Sequence, residues 1–160
     1  MKIAIYGQFY HSNTQSSIDT LLDIFIEKKL EVSLEKDFSK MVKHKNLGDF
    51  KTFTELDNSY DLLISIGGDG TILRAVTFVR DLAIPIVGIN TGRLGFLATI
   101  QTDDITEAIN EILEKRYKIS ERTLLSIETS PKNKTIIETD FALNEIAVSR
   151  KNTTSMIKVE

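Results

Sequence analysis

The sequence predicts the α/β class: a parallel sheet in three layers, followed by the start of an antiparallel β-rich domain. Three observations predict it. Up to about residue 118, apolar runs of strand length alternate with helical stripes, the pattern of a parallel sheet with helices packed on it. Asp61–Ile66 is almost continuously apolar, as expected for a strand covered on both faces. Beyond Lys118 the helical periodicity stops and β-rich segments take over. The chain therefore divides into a Rossmann-like α/β domain over residues 1–118 and the beginning of a β-rich domain over 119–160. With 160 residues, 41% hydrophobic and 27% charged, a packed core is within reach.

Ile3 to Tyr6 reads as the first buried strand. Asn13 or Thr14 can cap the next helix, whose Ile18, Leu21, Leu22, Phe25 and Ile26 form one stripe. Glu31–Leu34 alternates polar and apolar residues, as the next strand would. Residues 35–58 are polar, and their basic cluster of Lys40, Lys43, His44 and Lys45 reads as a solvated face. The strand ending at Ile66 runs straight into Gly67-Gly68-Asp69-Gly70-Thr71. A helix from near Thr71 follows, striped by Ile72, Leu73, Val76 and Val79. Pro85 opens the strand Ile86–Ile89, which ends in Asn90-Thr91-Gly92. A third helix is predicted from about Asp103, with Ile105, Ala108, Ile109, Ile112 and Leu113 on one face. Asp104 and Glu107 place negative charge in its first turn, where the helix dipole favours it. Ile119–Thr129 and Thr135–Arg150 are expected to be β-rich, parted by the polar turn Ser130–Lys134. Ser155–Glu160 begins one more alternating strand, and the chain stops inside it. Strands so few would present unpaired edges and an uncovered face, so the sequence reads as truncated.

Composition excludes several classes. A net charge of −3 argues against a domain that coats nucleic acid or an anionic membrane. The absence of cysteine removes disulfide frameworks, thiolate metal sites and cysteine nucleophiles. His11 and His44 stand in unrelated contexts, so no metal-ligating residue is assigned. The opening apolar run is too short for a secretion signal or a spanning helix, and a cytoplasmic location is expected.

Chemistry concentrates at Gly67–Thr71, where a buried strand hands over to a helix. Ligands of open α/β sheets bind at such carboxyl ends. Glycines let backbone approach an anion, and the helix start offers free N–H groups and a positive dipole end to phosphate. Asp69 would repel phosphate, so its presence suits a group that takes a proton from a hydroxyl, or helps hold a metal bridging phosphates. The plainer reading is a tight turn with Asp69 as N-cap. Neither the dinucleotide fingerprint nor a Walker A loop fits, because the glycine spacing and the following Lys-Ser/Thr are missing.

Gly67-Gly68-Asp69-Gly70-Thr71 resembles the signature shared by NAD kinases, diacylglycerol and sphingosine kinases and, more distantly, 6-phosphofructokinases. The segment Gly88-Ile89-Asn90-Thr91-Gly92-Arg93-Leu94-Gly95-Phe96-Leu97-Ala98 resembles NAD kinases in particular, as does Ala142-Leu143-Asn144-Glu145-Ile146-Ala147-Val148. The resemblance implies phosphorylation of the adenosine 2′-hydroxyl of NAD by ATP, or by polyphosphate, with Mg²⁺ or another divalent cation. It implies Asp69 as the catalytic base and Gly67, Gly68, Gly70 and Thr71 as the phosphate loop. Arg74, on the first turn of the helix, would contact nucleotide, and Asn90 and Gly92 join the binding residues through their segment. Phe96 would lie near adenine, although by position alone it reads equally as a core phenylalanine. Asn144 and Glu145 would contact ribose hydroxyls. A homo-oligomer, dimer or tetramer, is expected, with no nucleic-acid or membrane partner.

NAD kinases continue well beyond this point with a further nucleotide-binding segment, so these 160 residues by themselves are expected to have little or no activity. Two alternatives accompany this reading. A diacylglycerol-type lipid kinase would share Gly67–Thr71 but has no reason to carry the other two segments. A non-catalytic nucleotide-binding or assembly module would keep the loop without the reaction.

Overall fold

A computed structural model describes residues 1–9, 12–93, 95–132 and 140–149. The chain forms two compact units, Met1–Ile119 and Ser120–Glu160. The first unit runs β1 (Lys2–Gly7), α1 (Ser12–Glu27), β2 (Glu31–Glu35), α2 (Lys36–Met41), β3 (Lys51–Phe53), β4 (Leu62–Ile66), α3 (Asp69–Val79), β5 (Ile86–Asn90), β6 (Ile100–Gln101) and α4 (Ile105–Leu113). Its six strands form one sheet in the order β3-β2-β1-β4-β5-β6. Every pairing in that sheet is parallel.

Alternation along the strands sends side chains to two opposite faces. Ile3 and Ile5 of β1, with Leu62, Ile64 and Ile66 of β4, pack with Ile18, Leu21, Leu22 and Phe25 of α1 and Ile105, Ile109 and Ile112 of α4. On the other face Ala4, Tyr6 and Leu63 meet Ala75 and Val79 of α3. The result is helix, sheet, helix, the expected three-layer arrangement. Leu21 and Phe25 are fully buried, each stabilising the unit by roughly 2–3 kcal/mol through removed apolar surface.

Several local expectations need correction. α1 begins at Ser12, so Asn13 and Thr14 lie within its first turn and neither precedes it as a cap. α3 begins at Asp69, two residues before the predicted start, with Gly68 as its N-cap. A glycine run suggests loop, but a glycine is acceptable at an N-cap and an aspartate in the first turn complements the dipole. Leu73 is exposed, and Ala75 takes its place in the buried stripe. The polar stretch 35–58 is structured. Glu35 caps α2 by accepting from the N–H groups of Asp37 and Phe38 at 2.9 and 2.8 Å. Phe38 and Phe53 anchor α2 and the edge strand β3 in the core. Its basic cluster is only partly a solvated face. Lys40, Lys43 and Lys45 are exposed, but the His44 side chain is 3% exposed and lies 3.2 Å from Asp23 Oδ1.

The second unit contains β7 (Leu125–Ser126) and β8 (Phe141–Ala142), an antiparallel pair matching Leu125 with Ala142 and Ser126 with Phe141. The expected strands are therefore shorter. Residues 119–124 and 143–149 form none, because only this brief register finds a partner among the described residues. Residues 133–139, most of the expected strand from Thr135, and the Ser155–Glu160 strand lie outside the described residues.

Candidate active site

Three neighbouring strands, β1, β4 and β5, end at one edge of the sheet. The chain reverses its winding between β1 and β4, where open α/β sheets present a crevice to ligands. The segment after β1 and the start of α3 are tied across it: the Thr71 hydroxyl donates to Gln8 Oε1 at 3.4 Å. Gly67 makes the turn out of β4 with φ of 150°, a conformation side chains rarely adopt, and its N–H donates to Ile89 C=O at 2.9 Å. A side chain there would also strike Thr71. Gly68 and Gly70 have open space where a side chain would stand, which leaves the start of α3 accessible. The first-turn N–H groups of a helix are the usual anion contacts; here Thr71 N–H donates to Gly68 C=O at 2.9 Å, and the N–H groups of Asp69 and Gly70 stand at the open end.

Asp69 is the first residue of α3, and its carboxylate is held by a segment 27–29 residues further on. Oδ2 accepts from Phe96 N–H at 2.7 Å. Oδ1 accepts from the N–H groups of Leu97 and Ala98 at 2.9 and 3.0 Å. These donors, Ala98 foremost and then Phe96 and Leu97, hold the carboxyl below the usual carboxylate range against the opposing effect of desolvation. The N-cap reading of Asp69 is thereby replaced. Gly68 occupies that position, and the Asp69 side chain faces another loop.

That loop is itself held from β5. Asn90 is 2% exposed; its Oδ1 accepts from Gly92 N–H at 2.8 Å and its Nδ2 donates to Arg93 C=O at 2.9 Å. Asn90 and Gly92 thus shape the loop from within. Phe96 is 94% exposed, which removes the core reading of this residue. Arg74 is exposed in the second turn of α3, not the first, because the helix starts earlier than predicted. Its charge reaches Tyr6, whose hydroxyl is pushed up by burial, with Arg74 pulling the other way.

Sequence reasoning missed Gln8, Tyr6 and the backbone donors of 96–98. No side-chain pattern announces a backbone donor, and Gln8 and Tyr6 have no motif of their own. Asn144 and Glu145 are exposed after β8, in the second unit. No group of three or more His, Asp or Glu residues able to hold a metal occurs among the described residues.

Residues 7–117 match the family profile described as the ATP-NAD kinase N-terminal domain. The chain belongs to the NAD kinase family. It is 52% identical to an NAD kinase of Christiangramia forsetii over its whole length, covering 56% of that relative. It is 48% identical to an NAD kinase of Flavobacterium johnsoniae, again over all of this chain and 56% of the relative. Against an NAD kinase of Bacteroides fragilis it is 36% identical, with 99% of this chain and 55% of the relative covered. The chain therefore spans about half the length of the curated relatives it matches. The crystal structure of yeast NADH kinase complexed with NADH superposes with a TM-score of 0.60 at 20% identity, over 79% of this chain and 42% of that one. At that identity the likeness shows the shared fold. Asp69 and the loop that clasps it both lie inside the stretch matching the NAD kinase profile, whereas Asn144 and Glu145 lie beyond it.

Proposed function

We propose that the protein phosphorylates the adenosine 2′-hydroxyl of NAD, giving NADP, with ATP or polyphosphate as donor. One observation carries the reading within this family: an ionised carboxylate is fixed at the start of α3, at the crevice of the sheet. A carboxylate has about four acceptor positions, and three N–H groups fill most of those on Asp69. The remaining one, on Oδ2, accepts the 2′-hydroxyl proton as the oxygen attacks the γ-phosphorus and the bridging P–O bond breaks. The start of α3, open at Gly68 and Gly70, receives phosphate oxygens on its N–H groups, and Arg74 adds positive charge beside it. Phe96 offers its exposed ring to adenine, while Asn90 and Gly92 act by holding the loop in shape. Thr71 supports the phosphate loop through Gln8. The resemblance assigns Asn144 and Glu145 to ribose hydroxyls.

Mg²⁺ enters this reading with the phosphates of the donor, as part of the substrate. A cytoplasmic location and a homo-oligomer complete the reading.

The test incubates the full gene product with ATP and Mg²⁺ and either NAD or a diacylglycerol. NADP is read with an NADP-specific dehydrogenase. NADP is expected from the parent protein, with a loss of about 10²–10⁴-fold in Asp69→Asn. Phosphorylation of the lipid in place of NAD would overturn the reading.

A further inference from the structure

We propose that Gly95 is a positioning residue for Asp69: the missing side chain at 95 makes room for the carboxylate and fixes which of its oxygens faces the reacting hydroxyl. The catalytic part rests on the kinase reading above; the contact does not. A Cβ built on Gly95 would lie 2.2 Å from Asp69 Oδ1, 2.4 Å from its Cγ and 2.6 Å from Oδ2. No real side chain tolerates such distances, so either the carboxylate or the loop must move. Asp69 has only two side-chain torsions, and turning either one withdraws its oxygens from the N–H groups of Phe96, Leu97 and Ala98. The loop cannot simply retreat, because Asn90 grips it at Gly92 and Arg93. Gly95 therefore sets the carboxylate plane and leaves Oδ2 with the open acceptor position.

A purely structural glycine would cost stability whatever stands at 69. A glycine acting through Asp69 loses its importance once that side chain is gone, and a double-mutant cycle reads this difference. Gly95→Ala, Asp69→Ala and the double variant are made in the full gene product, and Tm, kcat and the KM for ATP are measured. In the parent background Gly95→Ala is expected to lower Tm by about 3 °C or more, and kcat by about tenfold or more with KM within about twofold. In the Asp69→Ala background the same substitution is expected to change Tm by less than about 1 °C and to leave the residual rate unchanged. Equal losses in both backgrounds would overturn the proposal, as would a parent-like Tm and kcat for Gly95→Ala. Coupling in Tm from a parent protein that forms no NADP would overturn the kinase reading, and with it the catalytic part, while upholding the contact.

Discussion

Gly88→Ala tests the packing that seats the loop. Gly88 lies on β5 beside Ser65 of β4. A Cβ there would stand 2.4 Å from Ile72 Cδ1, 2.7 Å from Ala98 Cα and 3.0 Å from Ala98 Cβ. The Ile72 methyl is the end of a flexible side chain and can turn away. The Ala98 backbone cannot, and ordinary contact at 3.4 Å or beyond requires it to retreat from 2.7 Å by about 0.7 Å. Ala98 also donates to Asp69 at 3.0 Å, so the displacement falls directly on the carboxylate clasp. Overpacking of this kind costs about 1–3 kcal/mol. In a protein of this size that is a loss of about 2–12 °C in Tm, measured by circular dichroism. Gly70→Ala is the matched control, because a Cβ at that helical position meets nothing within 4 Å. Relief of the glycine entropy cost should raise stability there by about 0.5–1 kcal/mol. If Gly88→Ala melted within about 1 °C of the parent at undiminished kcat, the packing argument would be refuted.

Asn90→Ala removes the bonds to Gly92 and Arg93 and should cost about 1–3 kcal/mol by urea denaturation. Asn90→Asp should fare no better, since a carboxylate cannot donate to Arg93 C=O; parent-like stability of that variant would contradict the clamp. The Asp69 pKa is depressed in the folded chain, so its contribution is present above the unfolded-chain value near pH 4 and lost as pH falls through the lower folded value. The Tm gap between the parent and Asp69→Asn should therefore hold from pH 7 to about 5 and narrow below about 4. A gap independent of pH down to 3 would show that the carboxylate charge plays no part.

Much of this frame was legible because long elements advertise themselves. β4 is covered on both faces and reads as an apolar run; α1 and α4 repeat their buried residues at helical spacing. Residues 35–58 were not legible for the same reason in reverse. β3 is a three-residue edge strand that buries Phe53 alone, and α2 has six residues with one buried Phe38, too few for any period to emerge. His44 sits among lysines in the chain, yet its side chain meets Asp23, 21 residues away. In the second unit, alternation promised strands, but a strand needs a partner, and the described register pairs only two residues on each side. At the site, the sequence pointed to Asp69 without revealing what holds it. Backbone N–H groups carry no residue-type signal, and only the folded chain shows where they converge.

The clasp also gives a physical reason why two segments of the sequence occur together. Gly67–Thr71 alone is shared among several kinds of kinase, and the narrower resemblance came from Gly88–Ala98. In the structure these are halves of one contact. Gly88 lets Ala98 approach β5, Asn90 folds the loop, Gly95 clears the carboxylate, and the next three N–H groups close on it. Asp69 in return meets all three donors, so it ties the loop to α3 in addition to the base role proposed for it. Replacing it by asparagine leaves a single acceptor oxygen and sets an NH₂ group against a backbone N–H. A rate lost in that variant mixes lost basicity with a displaced loop. The Gly95→Ala variant separates the two, because it displaces the carboxylate from its donors while keeping the carboxylate itself as a base.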